Sequence, residues 1–149
     1  MNRILLVFNL AVLAGVTAAA AQRLERVNPS GLSGPQAYTH VVKAGKMVFI
    51  AGQVGAGADG KIAGPGMKEQ TEQALKNLQT ALVSQGLDFS HVAKTTIYTT
   101  NVTEFRSPEV SEVRSRYFGQ NRPASTLVQI VQLASPEYKI EIEAIAIAP

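Results

Sequence analysis

Two carboxylates, Glu141 and Glu143, stand in the run Lys139-Ile140-Glu141-Ile142-Glu143-Ala144-Ile145-Ala146. Side chains alternate along a strand, so both acids fall on one face, about 7 Å apart. A glycosidase pair must straddle its bond from opposite sides, which two acids on one strand face do not do. Two readings stay open. The acids pair across strands with Lys or Arg, or an acid in a cleft positions a water or takes a proton. His40 and His91 are far apart in the chain. No H-x-H or H-E-x-x-H spacing exists, so no metal site is expected. His40 could act as a general base only if it faced a cleft, and His91 reads as a surface residue at a strand entry.

The other patterns are weaker. Gly55-Ala56-Gly57-Ala58-Asp59-Gly60 matches G-x-G-x-x-G, but Gly64-Pro65-Gly66 intervenes where a dinucleotide site needs a helix to open. It reads as a flexible loop. Arg106, Arg114, Arg116 and Arg122 alternate with Glu104, Glu109 and Glu112, the pattern of a solvated helix face. Asn101-Val102-Thr103 fits a glycosylation sequon, a pattern that arises often by chance. Neither a G-x-S-x-G elbow nor a P-loop is present. Cysteine is absent, which excludes thiol catalysis, iron–sulfur clusters and thiolate zinc sites.

The elements that must position these residues follow from periodicity. Residues 1–21 hold a lone Arg3, no acid, an apolar middle and an exit of alanines. That is the pattern of a secretory signal peptide; an uncleaved anchor is the competing reading. Export predicts a periplasmic or secreted protein with no membrane contact after cleavage. The chain has 149 residues and a net charge of +3, or +2 without residues 1–21. That charge excludes a strongly basic nucleic-acid binder and a disordered polyelectrolyte.

Residues 22–36 are rich in turn formers and read as an irregular lead-in. Residues 38–44 and 47–51 read as strands joined by a Gly45-Lys46 hairpin turn. Met67, Thr71, Ala74, Leu75, Leu78, Ala81 and Leu82 recur at helical steps and predict a helix over 67–86, capped by Gly86. Residues 91–100 read as a strand. Ser107 and Pro108 open a second helix that Gly119 closes. Residues 125–133 and 139–148 read as the last strands. The order is ββαβαββ, an α+β domain over residues 22–149 with two helices on one face of a sheet.

The last strand is apolar on both faces at its Ile-rich end, and two helices cover only one face. The other face is expected to pack against a second copy. Glu141, Glu143 and Gln129 would then line an inter-subunit cleft.

Four blocks carry a resemblance: Val48-Phe49-Ile50-Ala51-Gly52-Gln53, Lys94-Thr95-Thr96-Ile97-Tyr98, Arg122-Pro123-Ala124-Ser125 and the Glu141 run. Over residues 38–148 the chain resembles the Rid (YjgF/YER057c) family of reactive-imine deaminases. The resemblance implies a chorismate-mutase-like fold, a homotrimer with clefts between subunits, and hydrolysis of 2-imino and enamine acids to 2-keto acids and ammonia without a cofactor. It assigns Glu141 to the attacking water. It places Tyr38, Gly52, Ser125 and Leu127 around the small-molecule substrate. Gln36 and Ala37 are extra residues before Tyr38. Ala51 stands where serine is frequent, Ser125 where the deaminases carry a carboxylate-gripping arginine, and Leu127 where cysteine is frequent. Arg122 could replace that arginine, but an odd offset along a strand points it the other way. The expectation is a deaminase-like hydrolase of some imine, or alternatively a non-catalytic trimer that binds a small metabolite. The RNA cleavage sometimes attributed to the family does not suit so weak a positive charge.

Overall fold

The computed structural model describes residues 23–35 and 37–149. The expected signal peptide over 1–21 lies outside the described residues. Six strands form one sheet: β1 (Leu24–Val27), β2 (Val41–Ala44), β3 (Met47–Val54), β4 (Val92–Thr99), β5 (Ala124–Gln129) and β6 (Ile140–Ile147). Their order is β1-β2-β3-β6-β4-β5. Only β4 and β5 run parallel; every other pairing is antiparallel. The helices are α1 (Met67–Val83), the short α2 (Val102–Phe105) and α3 (Pro108–Phe118).

The core lies between α1, α3 and one sheet face. Ala74, Leu75, Leu78, Ala81 and Leu82 of α1 are fully buried against Val48 and Ile50 of β3, Ile97 of β4, and Ile140, Ile142, Ala144 and Ala146 of β6. Burial of such side chains stabilises by about 1.5–3 kcal/mol each, which is why the helical stripe and the strand alternation agree. α1 ends at Val83, short of the expected 86, and a turn carries the chain to Gly86, whose φ of +69° suits glycine. There the Leu87 N–H donates to the Leu82 carbonyl at 3.0 Å. α3 opens as the sequence predicts, with Pro108 at its first position and the Ser107 hydroxyl accepting from the Val110 N–H at 3.5 Å. Among the described residues the other sheet face carries no helix; Met47, Phe49 and Ile147 lie exposed on it.

Other expectations need correction. Residues 24–27, read as part of an irregular lead-in, form the edge strand β1; backbone pairing with β2 defines it, and three of its four side chains are exposed. The first hairpin strand begins at Val41, leaving Tyr38 in the preceding loop, 52% exposed. β5 ends at Gln129 because its one partner, β4, ends at Thr99; Val131, expected inside the strand, is wholly exposed. Asn101 caps α2, its side-chain oxygen accepting from the Glu104 N–H at 3.1 Å.

The glycine-rich loop is braced rather than loose. Gln70 of α1 is fully buried and donates to the Gly64 and Glu137 carbonyls at 3.0 and 2.8 Å. Its oxygen accepts from the Lys139 N–H at 2.8 Å. Asn77 donates to the Val54 and Ala56 carbonyls at 3.1 and 2.8 Å. Gly55 lies so close to α1 that a Cβ there would stand 2.3 Å from the Gln70 Cβ.

Candidate active site

Glu141 sits near the start of β6, between Val54 of β3 and Tyr98 of β4. It points to the uncovered face, as alternation requires. β3 carries a bulge at this point. Ile50 pairs with Ala144 and Gln53 with Ile142, so Ala51 and Gly52 together oppose Glu143. The bulge brings the Gly52 backbone against the Glu141 side chain, and a Cβ on Gly52 would lie 1.7 Å from Oε1. Glu141 makes no ion pair or hydrogen bond among the described residues. Its carboxyl is held above the usual carboxylate range, first by burial and then by the charge of Glu143. Such a group exchanges a proton more readily near neutral pH than an exposed glutamate.

Glu143, next on the same face, lines a cavity of about 310 Å³ with Phe49, Ala51, Lys94, Thr96 and Ile145. Cross-strand ion pairing, the other reading of these acids, is not found: neither takes part in a salt bridge among the described residues.

On the other side of Gly52 a small pocket of about 50 Å³ is lined by Tyr38, His40, Gly52, Gln53 and Tyr138, among others. His40 is buried, and both its nitrogens are engaged. Nε2 lies 2.9 Å from the Ser33 carbonyl oxygen, so it carries the proton and donates. Nδ1 then accepts from the Gln53 amide at 3.2 Å. Gln53 also donates to the Ala51 carbonyl at 2.9 Å, inside the bulge. His40 therefore faces a cleft, but as a strut beneath the bulge, with no free nitrogen to act as a base. Tyr38 packs edge-on to it, centroids 5.3 Å apart. Gln53 was not singled out by its sequence; its place directly after Gly52 was the available signal. His91 helps cap the turn that enters β4, its Nδ1 2.9 Å from Asp88.

The structure sets Glu141 against one side of Gly52 and Tyr38 in the small pocket that Gly52 also lines, and within one protomer it keeps Ser125 and Leu127 apart from them. Ser125 pairs with Thr95 and Leu127 with Ile97, both buried on the helix side. The Thr95 hydroxyl donates to the Ser125 hydroxyl at 3.1 Å. Gln129, expected beside the two acids, shares this helix-side face and accepts from the Val102 N–H at 2.9 Å. Arg122 precedes β5 and Pro123, so strand alternation does not govern it; it lines one cavity with Ser125. Arg114 is also not the solvated side chain its charge pattern suggests. It is half-buried in the same cavity, its guanidinium carbon 4.7 Å from the centre of the Phe105 ring. No cluster of three or more metal-binding side chains occurs among the described residues, and no helix among them is long and apolar enough to cross a membrane.

A six-stranded sheet with helices on one face and an unpaired acid against a bulge on the other defines an α+β protomer with a polar site on its open face. Residues 31–148 match the Ribonuc_L-PSP family, described as Endoribonuclease L-PSP, and the chain belongs to that family, which includes the Rid proteins. It is 36% identical over 118 residues to the human 2-iminobutanoate/2-iminopropanoate deaminase, covering 78% of this chain and 82% of that one. Its fold is similar to that of TdcF from E. coli solved with bound serine, at 26% identity and a TM-score of 0.73, over 83% of this chain and 98% of that one. RidA from an Antarctic Psychrobacter is similar at 25% identity and a TM-score of 0.73, over 82% and 97% of the two chains.

Proposed function

We propose that the protein hydrolyses a reactive imine or enamine to a carbonyl compound and ammonia, with Glu141 as the proton-handling group. The carrying observation is the Glu141 carboxyl: unpaired, pressed against Gly52 and raised in pKa by burial. The deaminase relative supports the reaction class. Glu141 takes a proton from water as the water oxygen bonds to the imine carbon, and the C=N π electrons pass to nitrogen. The proton is then delivered to that nitrogen, giving a carbinolamine; the hydroxyl proton next passes through Glu141 to the same nitrogen as the C–N bond breaks, so that the C=O bond forms and ammonia leaves. No cofactor enters this balance.

The cleft is completed by a second copy in a homotrimer. The exposed Met47, Phe49 and Ile147 on the open face support this. Ser125 in place of the arginine of the deaminases directs the site away from carboxylate-bearing substrates, because the lost charged hydrogen bonds contribute about 1.5–3 kcal/mol each. The same residue favours a second reading, a trimer that binds a small metabolite without turning it over. Residues 1–21 are proposed to export the protein, and the mass of the mature chain checks that step.

Hydrolysis of freshly generated 2-iminopropionate by wild type and Ser125→Arg tests the reading. A weak wild type with a Ser125→Arg variant improved about tenfold or more shows a working cleft retuned away from imino acids. No turnover of this or any carboxylate-free imine by either protein overturns hydrolysis and leaves metabolite binding.

A further inference from the structure

We infer that His40 is a proton-sensitive positioning residue for Glu141: only its neutral ring, with the hydrogen on Nε2, holds the Gln53 amide on the β3 bulge, and a second proton releases the bulge and with it the Glu141 side chain. The effect on turnover rests on the hydrolysis proposed above; the coupling between His40 and the bulge does not.

Both polar groups of the Ala51 backbone are fixed through His40. The Ala51 N–H donates to the His40 carbonyl at 2.9 Å. The Ala51 carbonyl accepts from the Gln53 amide at 2.9 Å, and that amide nitrogen also lies 3.2 Å from His40 Nδ1. Ala51 opens the bulge, and one planar peptide joins it to Gly52. The orientation of Ala51 therefore sets where the Gly52 backbone meets the Glu141 side chain. His40 and Gln53 are 3% and 2% exposed, so little water reaches either to replace a lost bond.

His40 is held on every side. Its Nε2 donates to the Ser33 carbonyl and its backbone N–H to Asn28 Oδ1, each at 2.9 Å, and Tyr38 packs edge-on to the ring. With Nε2 protonated, Nδ1 is the site left for a second proton. Both nitrogens of an imidazolium are donors, so Nδ1–H would then face the Gln53 NH2 group, donor against donor. The Gln53 amide must turn its oxygen to the ring, and the Ala51 carbonyl loses its donor. A buried carbonyl without a partner is costly, and the bulge shifts to satisfy it. The pocket offers no counter-charge. Tyr38 and Tyr138 are the other titratable side chains lining it; Ser33, Gln53 and Asn77 are polar but uncharged, and no Asp, Glu, Lys or Arg lines it. Glu141 lies beyond Gly52, and His40 makes no ion pair among the described residues. Histidine is the side chain that ordinarily changes charge between about pH 5 and 8, which makes this one proton a usable signal.

NMR of the purified, isotope-labelled protein tests the coupling. The His40 ring nitrogens, the Gln53 side-chain amide and the Gly52 N–H are followed against pH in wild type and in Glu141→Gln, which removes the titration of Glu141 itself. The expected result is a neutral ring protonated on Nε2 and one midpoint shared by all three signals in both proteins. Steady-state kinetics supplies the second arm. His40→Phe keeps a ring and removes both nitrogens, and is expected to lower kcat about tenfold to a hundredfold with KM little changed. His40→Gln can accept from Gln53 and donate to Ser33 without titrating. It is expected to restore kcat at neutral pH and to abolish the shared step in the Gln53 and Gly52 signals. A ring protonated on Nδ1, a ring that takes no second proton before the protein unfolds, a Gly52 or Gln53 signal that ignores the His40 midpoint in Glu141→Gln, or wild-type kcat in His40→Phe would each overturn the inference. A wild type that hydrolyses no imine strikes the hydrolysis reading instead, and the shared midpoint still decides this one.

Discussion

The backbone of Gly52 and the carboxylate of Glu141 share one volume: a Cβ on residue 52 would stand 1.7 Å from Oε1, 2.5 Å from the carboxyl carbon and 2.7 Å from Cγ. Any side chain at 52 must therefore rotate the whole Glu141 side chain away. The bulge in β3 creates this contact, and the amide of Gln53 braces the bulge from behind. One relationship thus ties the register of two strands to the position of the acid.

Gly52→Ala is expected to keep the fold and lose the chemistry. The clashing atoms belong to a flexible side chain, so the stability cost should stay within about 1–3 kcal/mol. Displacing a proton-transfer group by an ångström or more should lower kcat/KM about a hundredfold. Steady-state hydrolysis beside a urea melt checks both. Full activity in Gly52→Ala would remove Glu141 from the reaction.

Glu141→Gln should abolish turnover while changing stability in a pH-dependent direction. The Glu141 carboxyl has a folded pKa above its unfolded value. Between those values the native state holds the extra proton, so its contribution to stability is present at acid pH and is lost as pH rises through the folded pKa. The glutamine variant does not titrate. It should therefore be at least as stable as wild type near neutrality, with the difference shrinking toward acid pH. Melting temperatures across that range measure it; a glutamine variant less stable only at neutral pH would contradict the burial argument.

Gln70→Ala is expected to destabilise the fold by about 2–4 kcal/mol, because buried backbone groups lose their partners at about 1–3 kcal/mol each. Gln70 satisfies the Gly64 and Glu137 carbonyls and the Lys139 N–H from one fully buried side chain. It fastens the glycine-rich loop and the segment entering β6 to α1. A urea midpoint unchanged in Gln70→Ala would show that water replaces those bonds.

Local signals in the sequence were enough for some elements and silent for others. Ser107-Pro108 and Gly119 mark both ends of α3 because capping is a local interaction. The α1 stripe and the alternation of β6 are legible because each needs only its own periodicity. β1 is not legible, since its exposed side chains carry no burial pattern and backbone pairing alone defines it. Nor is the bulge, which exists only in the register between Ile50 and Gln53 of β3 and their partners on β6. Glu141, Gly52 and Tyr38 could be gathered from the resemblance, but the cavity at Arg114 could not. Interleaved charges on α3 suggested a solvated face, and the distinction between Arg114 over Phe105 and Arg116 on Glu72 is tertiary. Likewise Pro123 stands between Arg122 and the strand, so counting alternation back from Ser125 misplaces it.

The last prediction concerns the join between α1 and α3. The Tyr117 hydroxyl donates to Glu72 Oε1 at 2.8 Å, and Arg116 holds the other carboxylate oxygen. Partial burial, and then the bond to Glu72, push the Tyr117 phenol up to about 12. An unfolded tyrosine titrates near 10. Between about 10 and about 12 the native state keeps a proton that the unfolded chain has lost, so stability should fall as pH rises through that window. Tyr117→Phe should cost about 1 kcal/mol near neutral pH, where the hydrogen bond is intact, and should flatten the alkaline decline. Phenolate absorbance then gives an independent readout: of the four tyrosines, one should titrate last, and that late step should vanish in Tyr117→Phe. A late step that survives the substitution would assign it to another tyrosine and break the link between α3 and Glu72.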